Sequence, residues 1–227
     1  MLISIHIPKT AGTTLGYMLD YGSERRIMFV YDKSYQNVSN ADEDMWLRHK
    51  DFIVDRFDVI HGHFYYSKFS NVFDDAKYIT CLRHPIDRLV SQWNHELNET
   101  GRKMSEKAKK GMTIVDWVKE EGENLSSVYK KHLDGRRLSD YYYIFIQEFM
   151  EPCWSLFVQK TGFVRNDQYI NNTGLPRLND GLNRAPPVSI PEAQLQELFK
   201  LLQPDVEVYV KAKELVLARI RNASANI

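Results

Sequence analysis

Residues 1–15, MLISIHIPKTAGTTL, confine the start of the chain to one local geometry: a short strand that runs straight into a turn and then a helix. Ile3, Ile5 and Ile7 are β-branched and favour extended backbone. After them, Pro8-Lys9-Thr10-Ala11-Gly12-Thr13-Thr14 supplies small and hydroxyl-bearing residues whose backbone N–H groups can converge on an anion where a helix begins. Lys9 adds a mobile positive charge at the same place. A nucleoside-triphosphate loop needs a glycine, four residues and then Gly-Lys-Ser/Thr, whereas here the lysine precedes the glycine. Two readings remain: a cradle for a phosphate or sulfate group, or a plain turn with a solvated lysine and threonine N-caps.

A second element of the same kind spans Tyr78 to Ser91, YITCLRHPIDRLVS. A β-rich run ends at Arg83, and Pro85 opens a helix at the position where its missing N–H costs nothing. Arg83 at the strand end and Ser91 about two turns into the helix place a charged fork and a hydroxyl toward one phosphate. Arg88 shares the face of Ser91 one turn earlier and reads as a brace paired with a carboxylate. Between the two elements, Asp58-Val59-Ile60-His61-Gly62-His63-Phe64 reads as a strand ending in His-Gly-His. Its two imidazoles fall on one face. By themselves they are ordinary partly buried histidines or the beginning of a metal site, and two ligands fall short of the three or four that zinc takes. His6 and His84, each beside a motif, read as structural.

The pair HIPKTAGTTL and RHPIDRLVS resembles the two cofactor signatures of the sulfotransferase superfamily, whose donor is 3′-phosphoadenosine 5′-phosphosulfate (PAPS). The resemblance implies that Lys9, Thr10, Ala11, Gly12, Thr13 and Thr14 hold the 5′-phosphosulfate and that Arg83 and Ser91 hold the 3′-phosphate. The His-Gly-His segment is similar to that of the carbohydrate branch typified by heparan sulfate and uronyl 2-O-sulfotransferases. That similarity makes His63 the catalytic base and His61 its neighbour, orienting substrate or base. The chemistry agrees, because a sugar hydroxyl must lose its proton as its bond to sulfur forms, and imidazole titrates near ~6.5. The implied reaction is in-line sulfuryl transfer from PAPS to a carbohydrate or glycan hydroxyl. Lys9 stabilises the leaving phosphate, PAP is the product, and neither a metal nor a covalent intermediate is required. A nucleotide or small-molecule kinase is the alternative enzyme, although it would need a magnesium-binding acidic residue and a proper phosphate loop. A non-catalytic module that retains PAP or another nucleotide is the alternative without turnover.

The 227 residues suit one domain, 1–227, and 43% hydrophobic with 26% charged residues is the balance of a folded protein. A formal net charge of zero gives no electrostatic footprint for nucleic acid. No apolar run is long enough to span a bilayer. The two cysteines, Cys81 and Cys153, read as reduced thiols, and no leader precedes the first strand. The expected compartment is therefore the cytoplasm, with the Golgi lumen an option only if an anchor has been trimmed away. No motif fixes the acceptor or the oligomeric state.

Strand and helix patterns alternate along the chain. Strands are expected at 2–7, 26–31, 57–61, 77–82 and 141–146, and helices at 13–21, 42–56, 85–99 and 148–160. Two more helices follow, one after a capping box at Ser189-Ile190-Pro191-Glu192 and one opened by Pro204. This predicts an α/β chain with a P-loop-like central parallel β-sheet flanked by helices on both faces, the fold the resemblance also implies. Residues 100–112 and 165–191 break the alternation and read as solvated surface or binding loops, with Asn183 and Arg184 candidates for a cofactor-side lid.

Overall fold

A computed structural model of the protein describes residues 1–21, 26–31, 40–98, 106–108, 110–133, 136–163 and 190–225. The first half of the chain runs β1 (Leu2–Ile5), α1 (Gly12–Tyr21), β2 (Ile27–Val30), α2 (Asn40–Arg48), α3 (Lys50–Arg56), β3 (Val59–Gly62), α4 (Ser67–Ser70), β4 (Lys77–Leu82) and α5 (Pro85–Asn98). There follow α6 (Ile114–Glu121), α7 (Glu123–Ser126), α8 (Val128–His132), β5 (Tyr143–Ile146), α9 (Met150–Thr161), α10 (Glu192–Leu201) and α11 (Gln203–Ser224).

The five strands form one parallel sheet in the order β2-β3-β1-β4-β5, flanked by helices as the sequence predicts. β1 and β5 are buried along their whole length, and β4 is buried after Lys77. Strands covered on both faces must be apolar throughout, which is why they appear in the sequence as runs of Ile, Tyr, Phe and Leu. The polar residues among them are paired: Ser4 Oγ lies 2.8 Å from His61 Nδ1, and Thr80 Oγ1 donates to the Ile5 carbonyl at 3.0 Å. From β1 the chain first builds β2 and β3 on one side and then crosses to β4 on the other. The crevice beyond the carboxyl ends of β1 and β4 is the switch point where open α/β sheets bind ligands. All three sequence motifs end there.

A second apolar cluster lies around α5, α6 and α10, where Trp93 meets Trp117 with ring centroids 5.3 Å apart. No helix is expected from the sequence at α6, although Thr113 and Asp116 form a reciprocal capping box at its start. The expected helix 42–56 is two helices, broken at His49, and the Tyr141 strand begins at Tyr143. At α10 the N-cap is Pro191; Ser189, half of the expected capping box, lies outside the described residues. So do Asn183, Arg184 and most of the two loop segments. Cys81 and Cys153 are buried free thiols, and among the described residues no helix is long and apolar enough to cross a membrane.

Asp205 at the start of α11 is fully buried and accepts hydrogen bonds from the backbone N–H groups of Val128 (3.0 Å) and Tyr129 (2.8 Å), capping α8 across 76 residues of sequence. Burial raises its pKa to about 6, opposed by the charge of Arg88 and by those N–H groups. Arg88, 1% exposed, donates to the Leu125 carbonyl at 3.0 Å, a main-chain oxygen in place of the carboxylate partner expected from its position. Asp205→Ala strands two buried N–H donors and removes the carboxylate whose charge the buried Arg88 feels. It should cost about 3–5 kcal/mol in urea unfolding, the range for one lost partner in a buried charged network.

Candidate active site

The loop from His6 to Gly12 carries the backbone features that hold an anion. Lys9 and Ala11 sit in left-handed conformation, with φ of 67° and 66°. Such φ values cost non-glycine residues roughly 1–2 kcal/mol each and are of the kind from which anion-binding backbone nests are built. Thr10, between them, is fully buried and donates its hydroxyl to the Ile7 carbonyl at 2.8 Å. Its side chain therefore closes the loop. Gly12 begins α1, and the next two residues, exposed Thr13 and half-buried Thr14, lie in its first turn. The helix dipole adds to the attraction for an anion at this end.

Gly12 is fixed by packing as well as by its place in the loop. A Cβ there would lie 1.8 Å from Cδ2 of His6, and one at Gly16 would lie 2.8 Å from Nε2 of His61. The two glycines are one turn apart on the same face of α1, so the helix rests directly on two imidazoles. Strand pairing explains why the imidazoles are there. Ile5 and Val30 both pair with Gly62, which aligns His6, His63 and Tyr31 one residue further along. Two backbone hydrogen bonds extend the pairing: the N–H of His6 to Gly62 at 2.8 Å and that of His63 to Val30 at 3.0 Å.

In this row the ring of His6 meets His63 edge-on at 4.3 Å and stacks on His61 at 5.3 Å, and its Nδ1 lies 3.1 Å from the Tyr31 hydroxyl. His61 is fully buried beneath α1, with Nδ1 2.8 Å from the Ser4 hydroxyl. His63 is half-buried, with its Nε2 atom itself buried. Burial and neighbouring imidazoles hold His6 neutral, its pKa lowered to about 2, and burial with His63 lowers that of His61 to about 3. His63 is lowered by burial alone. Nearby, His132 is pushed down to about 4, first by burial; its Nδ1 donates to the Val128 carbonyl at 2.8 Å, which leaves the lone pair on Nε2. The sequence marks His6 only as structural, yet it bridges Tyr31 and His63.

Arg83 follows the last residue of β4 and is half-buried. The Tyr129 hydroxyl holds its backbone on both sides, donating to the Arg83 carbonyl and receiving the Arg83 N–H at 3.3 Å. The next N–H, that of His84, donates to Glu148 Oε1 at 2.7 Å. Ser91 is half-buried in α5. Tyr129 and Glu148 lie 46 and 64 residues from the turn they hold, and no local sequence pattern marks them. Among the described residues no group of three or more His, Cys, Asp or Glu side chains is arranged to hold a metal ion.

The buried imidazoles make stability depend on pH. Each has a folded-state pKa below the unfolded value near 6.5, so the unfolded chain takes up the proton first and stability falls as pH drops below about 6.5. Each of the three costs about 1.4 kcal/mol per pH unit, and Asp205, shifted the other way, returns one such increment, for a net loss of about 3 kcal/mol per unit between pH 6 and 4. Urea unfolding between pH 4.5 and 7.5 should show this slope, and His132→Gln should flatten it by about 1.4 kcal/mol per unit.

A family model described as the sulfotransferase family matches residues 1–211. No curated protein matched the chain. The match covers every strand, the Lys9–Ala11 loop, the imidazole row and the Arg83 turn, and on it the chain belongs to the sulfotransferase family.

Proposed function

We propose that the chain transfers the sulfuryl group of PAPS to a hydroxyl of a carbohydrate or glycan, with His63 as general base. The observation that carries this reading is the convergence of three elements at the switch point of the sheet. They are the left-handed Lys9–Ala11 loop, the half-buried His63 and the clamped turn at Arg83. These residues fit a donor with an anionic group at each end. The nest and Lys9 suit the 5′-phosphosulfate, and Arg83 with Ser91 suits the 3′-phosphate. When bound, PAPS supplies the sulfuryl group and departs as PAP.

His63 accepts the proton of the acceptor hydroxyl as that oxygen bonds to sulfur, and later releases it to solvent. Its lowered pKa keeps the imidazole in its unprotonated form, able to accept a proton, at neutral pH. Lys9 sits near enough to depress His6, and it balances the charge growing on the leaving phosphate oxygen. His61 and His6 hold the ring of His63 against its strand neighbours and, being neutral, add no charge to repel the donor. The His-Gly-His triplet supports an acceptor of the type used by the 2-O branch, a sugar hydroxyl.

The test is donor selectivity followed by separation of roles. PAP should raise the melting temperature and ATP should not; a ligand at about 100 times its Kd stabilises by ~2.7 kcal/mol. Stabilisation by ATP alone would overturn the donor assignment in favour of a kinase. His63→Ala should lower turnover with radiolabelled PAPS by about 10²–10⁴ while the PAP shift persists. Arg83→Ala should weaken the PAP shift itself. Wild-type transfer in both variants would refute these roles.

A further inference from the structure

Beside the imidazoles, the end of β2 presents two aromatic rings that donor binding does not use. Phe29 and Tyr31 are 48% and 46% exposed, their planes within 14° of parallel and their centroids 6.2 Å apart. Strand pairing sets Phe29 opposite His61, with the rings meeting edge-on at 5.9 Å, and carries Tyr31 to the edge of His63 at 4.9 Å. Tyr17 of α1, also largely exposed, lies close enough to influence the Tyr31 phenol. The Tyr31 hydroxyl, 3.1 Å from His6 Nδ1, ties its ring to the imidazole row.

Scattered exposed apolar residues are ordinary, but adjoining aromatic rings at the lip of a crevice, in contact with a titratable group, mark a binding surface. We propose that Phe29 and Tyr31 form the acceptor platform, receiving the C–H face of a pyranose ring so that one of its rim hydroxyls reaches His63. This rests on the reading of His63 as the base. The chemistry matches on both sides. An aromatic face carries partial negative charge and attracts the weakly positive C–H groups of a sugar ring. The hydroxyls of that sugar project from the ring edge, toward the imidazole beside the platform. A linear polyol has hydroxyls but no face to stack, and a phenol has a face but a single hydroxyl in its own plane.

The test uses the full chain with PAP bound and five probes: methyl β-D-galactopyranoside, lactose, chitobiose, sorbitol and 4-nitrophenol. Saturation-transfer NMR should show contact with at least one of the pyranosides and none with sorbitol. Phe29→Ala and Tyr31→Ala should each raise the KM of the sulfated pyranoside by about tenfold, more than they lower kcat, with the PAP melting shift unchanged. Tyr31→Phe keeps the ring and should recover most of the affinity that Tyr31→Ala loses. The proposal is overturned if no pyranoside contacts the PAP-bound protein, if the alanine variants keep the wild-type KM, or if 4-nitrophenol is the preferred acceptor. Failure of PAP to stabilise the protein would instead strike at the donor assignment, so the two failures are told apart.

Discussion

The contact on which the site depends is the seating of α1 upon imidazole rings. A helix ordinarily keeps its neighbours at the distance set by its side chains. Gly12 and Gly16 remove those side chains along one stripe, and the rings of His6 and His61 fill the space. Neither glycine has a left-handed φ, so their value here is the room they leave. The left-handed positions are Lys9 and Ala11, which accept conformational strain that glycine would have avoided. Close seating of α1 thus fixes two things together: the start of the helix beside the Lys9–Ala11 loop, and the burial of two imidazoles beneath it.

The opposite side of the crevice is held by a different device. Arg83 lies in a turn, where backbone freedom would let its side chain wander. Tyr129 takes both backbone groups of that residue, Glu148 takes the next N–H, and Asp205 fixes the helix that carries Tyr129. Arg88 lies beneath, its guanidinium 5.9 Å from the Tyr129 ring and bonded to the Leu125 carbonyl. A buried carboxylate and a buried guanidinium are costly to desolvate, and here they spend that cost on the placement of a loop at the site.

Most of the sheet was legible because its strands are buried on both faces and therefore apolar without interruption, as in Tyr78–Leu82 and Tyr143–Ile146. The anion loop and the Arg83 turn were legible because Pro8, Gly12 and Pro85 punctuate strand and helix locally. What stayed hidden depends on register or on distant partners. Nothing near His6 in sequence says that pairing through Gly62 brings it against His63 and Tyr31. Likewise, Asp205 reads as an ordinary first-turn acid of a helix, and only the fold delivers it to α8. α6 was the exception: Thr113 and Asp116 announce it locally, but eight residues gave too short a periodic stretch to stand out.

Crowding imidazoles together also decides which of them can act. If all titrated near the same pH, protonation of one would suppress the next, and the site would hold a fluctuating charge beside Lys9. Burial breaks the tie. Burial is deepest at His6 and His61, whose pKa values are lowered to about 2 and 3, whereas His63 is half-buried and lowered by burial alone. Basicity alone would not choose among three equal rings. Depth of burial sets them apart, and the stripe of α1 that covers two of the three is what creates the difference.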